Sequence, residues 1–255
     1  MRPLMALIRR EFSAYFLSPV AYVTLAVFLL VTGHLFFLTA SALTESGPRG
    51  VEYPMQGLLG DEKFWLVFLF IPPLLTMRLL AEERGTGTLE TLLTAPIRDW
   101  QVVAGKYIGA VLFYVVLWLP TLLYVPVLTN FDWATRQFGI DPNPVLTSYL
   151  GVFLAGAMFL AIGLFVSSLV KSQLVAAMLS LVASLVFVLA AFWRPDLDAG
   201  GWAGKLIQFV SVPEHFRRDF TRGLVDTRSV VLYLSVTAFC LFLTVRSLEA
   251  RRLRA

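Results

Sequence analysis

The sequence predicts an all-α polytopic membrane protein, six transmembrane helices forming a single domain over residues 1–255. Three observations carry this. Of 255 residues, 58% are hydrophobic and 15% charged, with a mean hydropathy of +0.75, whereas soluble domains carry about 25% charged residues. Six apolar runs each approach the roughly 20 residues that a helix needs to cross the hydrocarbon. Lysine and arginine are more frequent in the segments assigned to one side, as insertion into a bilayer requires. The net charge of +4 is accounted for by those flanks, and no nucleic-acid partner is expected.

The first element is not a span. Leu4, Ile8, Phe12, Tyr15 and Phe16 share one helical face, with Arg2, Arg9, Arg10 and Glu11 elsewhere. That pattern predicts an N-terminal amphipathic helix lying on the bilayer surface. Pro19 opens the first span, about 20–40. Ala40 and Ala42 have the spacing of a signal-peptide cleavage site, but the apolar run is too long for a signal and further spans follow. The second span, about 64–80, contains Pro72-Pro73 and should kink or break. The third, about 107–129, is expected to be capped by Asp99, with Pro120 and Pro126 disturbing its far half. The fourth covers about 146–170. A tight Lys171-Ser172 turn leads to the fifth, about 173–193, and the sixth covers about 229–248.

An even number of spans puts both termini on one side. With the termini inside, the inner segments hold 12 lysines and arginines and the outer segments 9. Six of those 9 fall in the long last outer loop, and long loops weigh little in topology. Both termini and the segment joining spans two and three are therefore expected in the cytoplasm of a multi-pass plasma (inner) membrane protein. The single cysteine, Cys240, excludes an intrachain disulfide and a cysteine metal site.

The segment joining spans two and three reads as helical. Leu89, Leu92 and Leu93 share one face, and Glu90 lies opposite, near the start, where the helix dipole favours an anion. Thr86 or Thr88 can cap that start, Gly85 and Gly87 allow a sharp turn into it, and Pro96 ends it. The run Glu83-Arg84-Gly85-Thr86-Gly87-Thr88-Leu89-Glu90-Thr91-Leu92-Leu93-Thr94-Ala95-Pro96 resembles the signature of type-2 ABC transporter permeases. It departs from many relatives by the inserted Thr86-Gly87. The resemblance extends from Arg9-Arg10-Glu11 to the last span. It is closest to the gliding-motility-associated permeases, through Tyr15-Phe16-Leu17-Ser18-Pro19-Val20-Ala21-Tyr22 and through His215-Phe216 with Phe220-Thr221-Arg222-Gly223. It implies that Glu83, Gly85, Thr88, Leu89, Glu90, Leu92, Leu93 and Pro96 belong to a cytosolic coupling helix that docks on a separate ATPase subunit.

The chain lacks the residues for chemistry of its own. No glycine loop ends in Gly-Lys-Ser or Gly-Lys-Thr, so ATP and magnesium belong to the partner ATPase and no cofactor or metal is expected here. The two histidines, His34 and His215, are far apart in sequence, which gives a metal cluster or a catalytic dyad little support. His34 lies within the first span and is a functional candidate on that ground. Its plainer reading is a neutral ring bonded to a neighbouring helix. Small residues at Gly151, Ala155, Gly156, Ala157, Ala161 and Gly163, and at Ala176, Ser180 and Ser184, allow close helix packing or line a path. In the last outer loop, Ser211 and Glu214 have capping-box spacing. Phe216, Phe220 and Leu224 succeed them at steps of four, with Arg217, Arg218 and Arg222 off that face and Gly223 near the end. This outer-loop helix either rests on lipid or closes the outer mouth, as similar loops do in the resembled family.

The expected function is the permease subunit of an ABC transporter, acting in export, as a homodimer or a heterodimer with a similar permease. The competing readings are a membrane anchor without transport and an intramembrane enzyme. The enzyme would need paired acidic, histidine or nucleophilic residues at mid-membrane depth, and no such pair is evident. A secondary transporter would need coupling carboxylates in its spans, which are likewise lacking.

Overall fold

A computed structural model describes residues 2–46, 54–88, 98–126, 142–190, 192 and 202–252, and every regular element among them is helical. Among the described residues, five helices are long and apolar enough to cross a membrane: Pro19–Ala42, Phe64–Thr86, Asp99–Pro126, Asn143–Leu169 and Thr227–Ala250. The segment expected as the fifth span holds a shorter apolar helix, Gln173–Leu189, of 17 residues. At 1.5 Å per residue it is about 26 Å long, just short of the hydrocarbon thickness of about 30 Å. The chain is a multi-pass membrane protein.

Helix α1 (Arg2–Phe16) does not rest its apolar face on lipid alone. It packs along α7 (Asp99–Trp118), with Leu7 and Glu11 buried and Leu4, Ile8, Phe12 and Tyr15 half-buried. Two glycines of α7 make the close approach possible. A methyl at Gly105 would meet Leu7 Cδ2 at 2.6 Å, and one at Gly109 would meet Glu11 Cβ at 2.8 Å. Glu11, expected on the polar side, therefore lies at the centre of the buried face.

Helix α2 (Pro19–Ser46) forms the first span. Short helices α3 (Pro54–Leu59) and α4 (Glu62–Phe68) lead into the second. That span is broken twice. α4 gives way to α5 (Ile71–Thr76), with Pro72 and Pro73 in its first turn, and α5 gives way to α6 (Ala81–Thr86). The prolines cannot donate to the preceding turn, which is why the first break falls just before them. At the second break, the N–H groups of Leu80 and Ala81 donate to Ser167 Oγ at 3.2 and 3.0 Å, and Ser167 Oγ in turn donates to the Met77 carbonyl at 3.3 Å.

α7 starts at Asp99, ahead of the expected apolar boundary, and Asp99 sits in its first turn rather than capping it. The N-cap is Arg98, whose backbone N–H donates to Gln101 Oε1 at 3.1 Å. Pro120 then tightens the chain into a 3-10 turn, Leu119–Leu123. α8 (Pro142–Leu169) and α9 (Gln173–Leu189) come next. The outer loop carries α10 (Trp202–Val210), α11 (Val212–Arg218) and a 3-10 turn, Phe220–Arg222, before the last span, α12 (Thr227–Arg252).

The core is centred on α8, which touches α5, α7, α9 and α12. Its small residues serve intrachain packing: Gly151, Ala155, Ala161 and Gly163 face aromatic or threonine side chains of neighbouring helices or lie fully buried. Ala176, Ser180 and Ser184 form the buried strip of α9. Large rings fill the centre, with Trp65, Phe68, Tyr114, Trp118 and Phe159 almost fully enclosed and neighbouring centroids 5–7 Å apart. His34 is exposed on α2, pointing away from the core rather than bonding a neighbouring helix.

Candidate functional site

Two regions gather the residues singled out in the sequence, one at each end of the bundle. At the first, Glu82, Glu83, Arg84, Gly85 and Thr86 are the last residues of α6. Gly87 closes that helix in the left-handed conformation, φ 77°, which glycine adopts without steric cost. Thr86 Oγ1 donates back to the Glu82 carbonyl at 3.0 Å and lies 2.9 Å from Thr88 Oγ1. Thr86 thus finishes α6, while Thr88, beyond Gly87, is already helical again. Residues 89–97 lie outside the described residues, and with them Leu89, Glu90, Leu92, Leu93 and Pro96.

The last turn of α6 is pressed against the α8–α9 connection. Arg84 donates to the Ser168 carbonyl at 2.6 Å. At Gly85 a methyl would stand 2.9 Å from the Lys171 carbonyl oxygen. Gly85 is needed for this approach rather than for a turn.

A charged cluster lies on the other side of α6. Lys106 of α7 has only 2% of its side chain exposed, and its ammonium bridges two carboxylates: Glu83 Oε1 at 2.7 Å and Glu11 Oε1 at 3.2 Å. Arg10, more than half exposed, reaches the same two oxygens at 3.3 and 2.9 Å. Three segments far apart in sequence, α1, α6 and α7, are thereby tied at one point. Glu83 Oε2 is buried with no hydrogen-bond partner. Beside the cluster, Arg78 pairs with Glu82 at 2.9 Å and donates to Ser18 Oγ. Tyr15 donates to the Leu75 carbonyl at 2.8 Å, and burial together with the nearby Glu11 charge raises its pKa well above the usual tyrosine value. A lysine enclosed this far stays only because its charge is paired on both sides.

The second region is the loop expected on the outer side, between α9 and α12. Ser211 occupies the N-cap of α11 with extended backbone, but its hydroxyl makes no capping bond and is buried without a partner. The capping box is not formed, because the Glu214 carboxylate is held by Arg217 at 3.2 Å and by Arg218. α11 stops at Arg218 and Gly223 takes the left-handed conformation at φ 85°, so the step-of-four pattern ends before Leu224, which is exposed. Phe216 and Phe220 are fully buried against protein, not lipid. Phe216 packs against Trp65, the rings tilted and their centroids 4.6 Å apart. The rings of Phe216 and Phe220 sit over Gly151, where a methyl would meet them at 2.8–2.9 Å. Thr147 and Ser148 donate to the Phe220 carbonyl at 2.6 and 3.2 Å, while Arg222 stays on the exposed side. His215 Nδ1 lies 2.9 Å from the Tyr233 hydroxyl, and burial pushes its pKa below the ordinary histidine value. The apolar face left uncovered in this loop is that of α10, whose Trp202, Leu206 and Phe209 are exposed at helical spacing.

The structure thus joins Glu83 to Glu11 and Lys106, two residues that the signature run does not contain. The signal for Lys106 is nonetheless present: a lysine one residue before Tyr107, inside an otherwise apolar helix, needs a partner. Among the described residues no cluster of three histidine, cysteine or acidic side chains is arranged to hold a metal. Residues 56–216 match the family model described as ABC-2 family transporter protein, a segment running from α3 to α11 that includes Glu83, Lys106 and Phe216. No curated protein matches the chain.

Proposed function

We propose that this chain, which belongs to the ABC-2 transporter family and is a membrane permease subunit of it, forms a translocation path worked by a separate ATPase through the segment after Gly87. Two such chains, identical or similar, pair over two ATPase subunits in the plasma membrane. Each crosses the bilayer six times with both termini in the cytoplasm, and transport is outward. ATP and magnesium bind the ATPase, not this chain. Glu83, Gly85, Thr88, Leu89, Glu90, Leu92, Leu93 and Pro96 make up the coupling element. The gliding-motility-associated permeases remain the subgroup it resembles.

The observation that supports this reading is the Glu11–Lys106–Glu83 bridge. Coupling between an ATPase and a membrane path needs an element whose displacement both ends feel. α6 is such an element. On one side it is clamped through Glu83 to the surface helix and the third span, and on the other through Arg84 and Gly85 to the α8–α9 turn. A push on the segment after Gly87 therefore reaches four helices together. Phe216 and Phe220, seated over Gly151 at the far end, act as the outer closure that this motion lifts.

The test is reconstitution with the cognate ATPase. Leu92→Asp, which puts an unpaired charge into an apolar contact, abolishes recruitment of the ATPase. Glu90→Lys weakens it through an unfavourable dipole interaction of about 0.3–1 kcal/mol and through the loss of a rim contact. Both variants still insert normally. Wild-type transport and ATPase activity in both would remove the coupling role.

A further inference from the structure

The charged cluster opens onto a cavity of about 350 Å³ between α1, the start of α2 and the α5–α6 break. Beside that cavity lies a second one of about 360 Å³, an almost wholly apolar groove between α2 and the α4–α5 segment. The two share Val20, Thr24 and Leu74 as common walls, so they adjoin and are taken together as one recess. One end is charged and lies beside α1. The other is lined by Val27, Phe28, Val67 and Phe70 and lies within the span region.

We infer that this recess binds one zwitterionic aminophospholipid, its headgroup in the charged cavity and an acyl chain in the apolar groove. The shape supplies half of the argument. A recess polar at one end and apolar over the rest, placed at the end of the spans, has the polarity profile of a single lipid molecule. The charge supplies the other half. Three cations, Arg10, Arg78 and Lys106, and three carboxylates, Glu11, Glu82 and Glu83, line the polar end, so its net charge is zero. Lys106 and Glu11 are enclosed and satisfied by one another. The groups left within reach of a guest are Arg78 and Glu82, 39% and 38% exposed, together with Arg10. These offer guanidinium donors to a phosphate and a carboxylate acceptor to an ammonium. A phosphate paired with a primary ammonium matches both and leaves no unbalanced charge. An anionic headgroup would leave Glu82 facing a negative guest, and a free phosphate ion would leave the groove empty.

That the site faces the cytoplasmic leaflet rests on the topology proposed above. Binding itself does not, so the experiment uses the purified permease without the ATPase, in nanodiscs with both leaflets exposed. The discs contain equal phosphatidylethanolamine and phosphatidylglycerol, and retained lipid is measured by native mass spectrometry after detergent exchange. The wild-type chain retains one phosphatidylethanolamine per chain. Arg78→Gln lowers that retention about tenfold, the loss expected of one charge-assisted contact. Val27→Trp fills the groove from an exposed position of α2, keeps the wild-type melting curve and also removes the lipid. Because Val27 lies away from the charged end, it keeps the test decisive if Arg78→Gln fails to fold. Equal retention of phosphatidylglycerol, or full retention in Val27→Trp, would overturn the inference. So would an efficient Val23→Cys crosslink between two copies, which would show that a second chain fills the groove.

Discussion

Lys106→Met removes one charge and keeps nearly the same volume, so it isolates what the buried bridge contributes. In the wild type the ammonium is enclosed, 2% exposed, and touches Glu83 and Glu11 at 2.7 and 3.2 Å. Removing one partner of a buried ion pair costs about 3–5 kcal/mol, because the other charge stays desolvated and uncompensated. Here two carboxylates are stranded and also repel one another. Arg10 offsets part of this, since it reaches both at 2.9 and 3.3 Å, but it is 57% exposed and contributes at the level of a surface pair, below about 1 kcal/mol. The expected loss is therefore about 3 kcal/mol, at the lower end of the range. Unfolding of the purified chain in mixed micelles, followed by tryptophan fluorescence, measures it. The triple variant Glu11→Gln, Lys106→Met, Glu83→Gln removes all three charges together and returns to within about 1 kcal/mol of wild type, because a neutral replacement of a buried ionic set is close to balanced. A Lys106→Met loss below about 1 kcal/mol, the worth of an exposed pair, would refute the reasoning. A triple variant as unstable as the single one would do the same.

The outer loop should respond to acid. His215 has its pKa lowered by burial, so the neutral ring is the form that fits beside Tyr233, and the unfolded chain takes up the proton first. The contribution is complete above the unfolded value of about 6.5 and is lost as pH falls through the lower folded value. Melting at pH 7.5 and at pH 5.5 should show a drop on acidification that His215→Gln flattens, and an unchanged drop in that variant assigns the effect elsewhere. Topology is testable in a Cys240→Ser background. Ser46→Cys and Asn143→Cys label from outside the cell and Thr94→Cys does not, whereas outside labelling at Thr94→Cys would invert the orientation.

The helices of the spans are legible in the sequence because apolar length and proline position are local properties. The break ahead of Pro72-Pro73 and the 3-10 turn at Pro120 are cases where the residue itself dictates the backbone. A face drawn through the apolar residues alone misplaces Glu11. Leu4, Leu7, Ile8, Glu11, Phe12 and Tyr15 share helical spacing, but only the position of Lys106, remote in sequence, makes burial of the carboxylate tolerable. The Ser211 capping box fails for a related reason. Glu214 has two arginines within one turn, and charge-assisted pairs outcompete a neutral backbone donor. That Thr86 closes α6 is not legible locally, because the end of that helix, at Gly87, depends on packing against the α8–α9 turn. α10 escapes a search for spans because its apolar residues are too few to cross a bilayer.

The double break in the second span has one more consequence. A continuous helix embedded in lipid resists bending, since each opened turn strands an N–H where no water can reach it. At the α5–α6 junction the freed donors of Leu80 and Ala81 are already met by one hydroxyl, Ser167 Oγ, on the neighbouring α8. An oxygen on a rotatable side chain can follow its donors through a change of angle. The second span is therefore a jointed rod rather than a stiff one, with Ser167 as the pin. On the coupling proposed above, load applied at its Thr86 end would swing the rod about that pin without opening the helical bonds on either side.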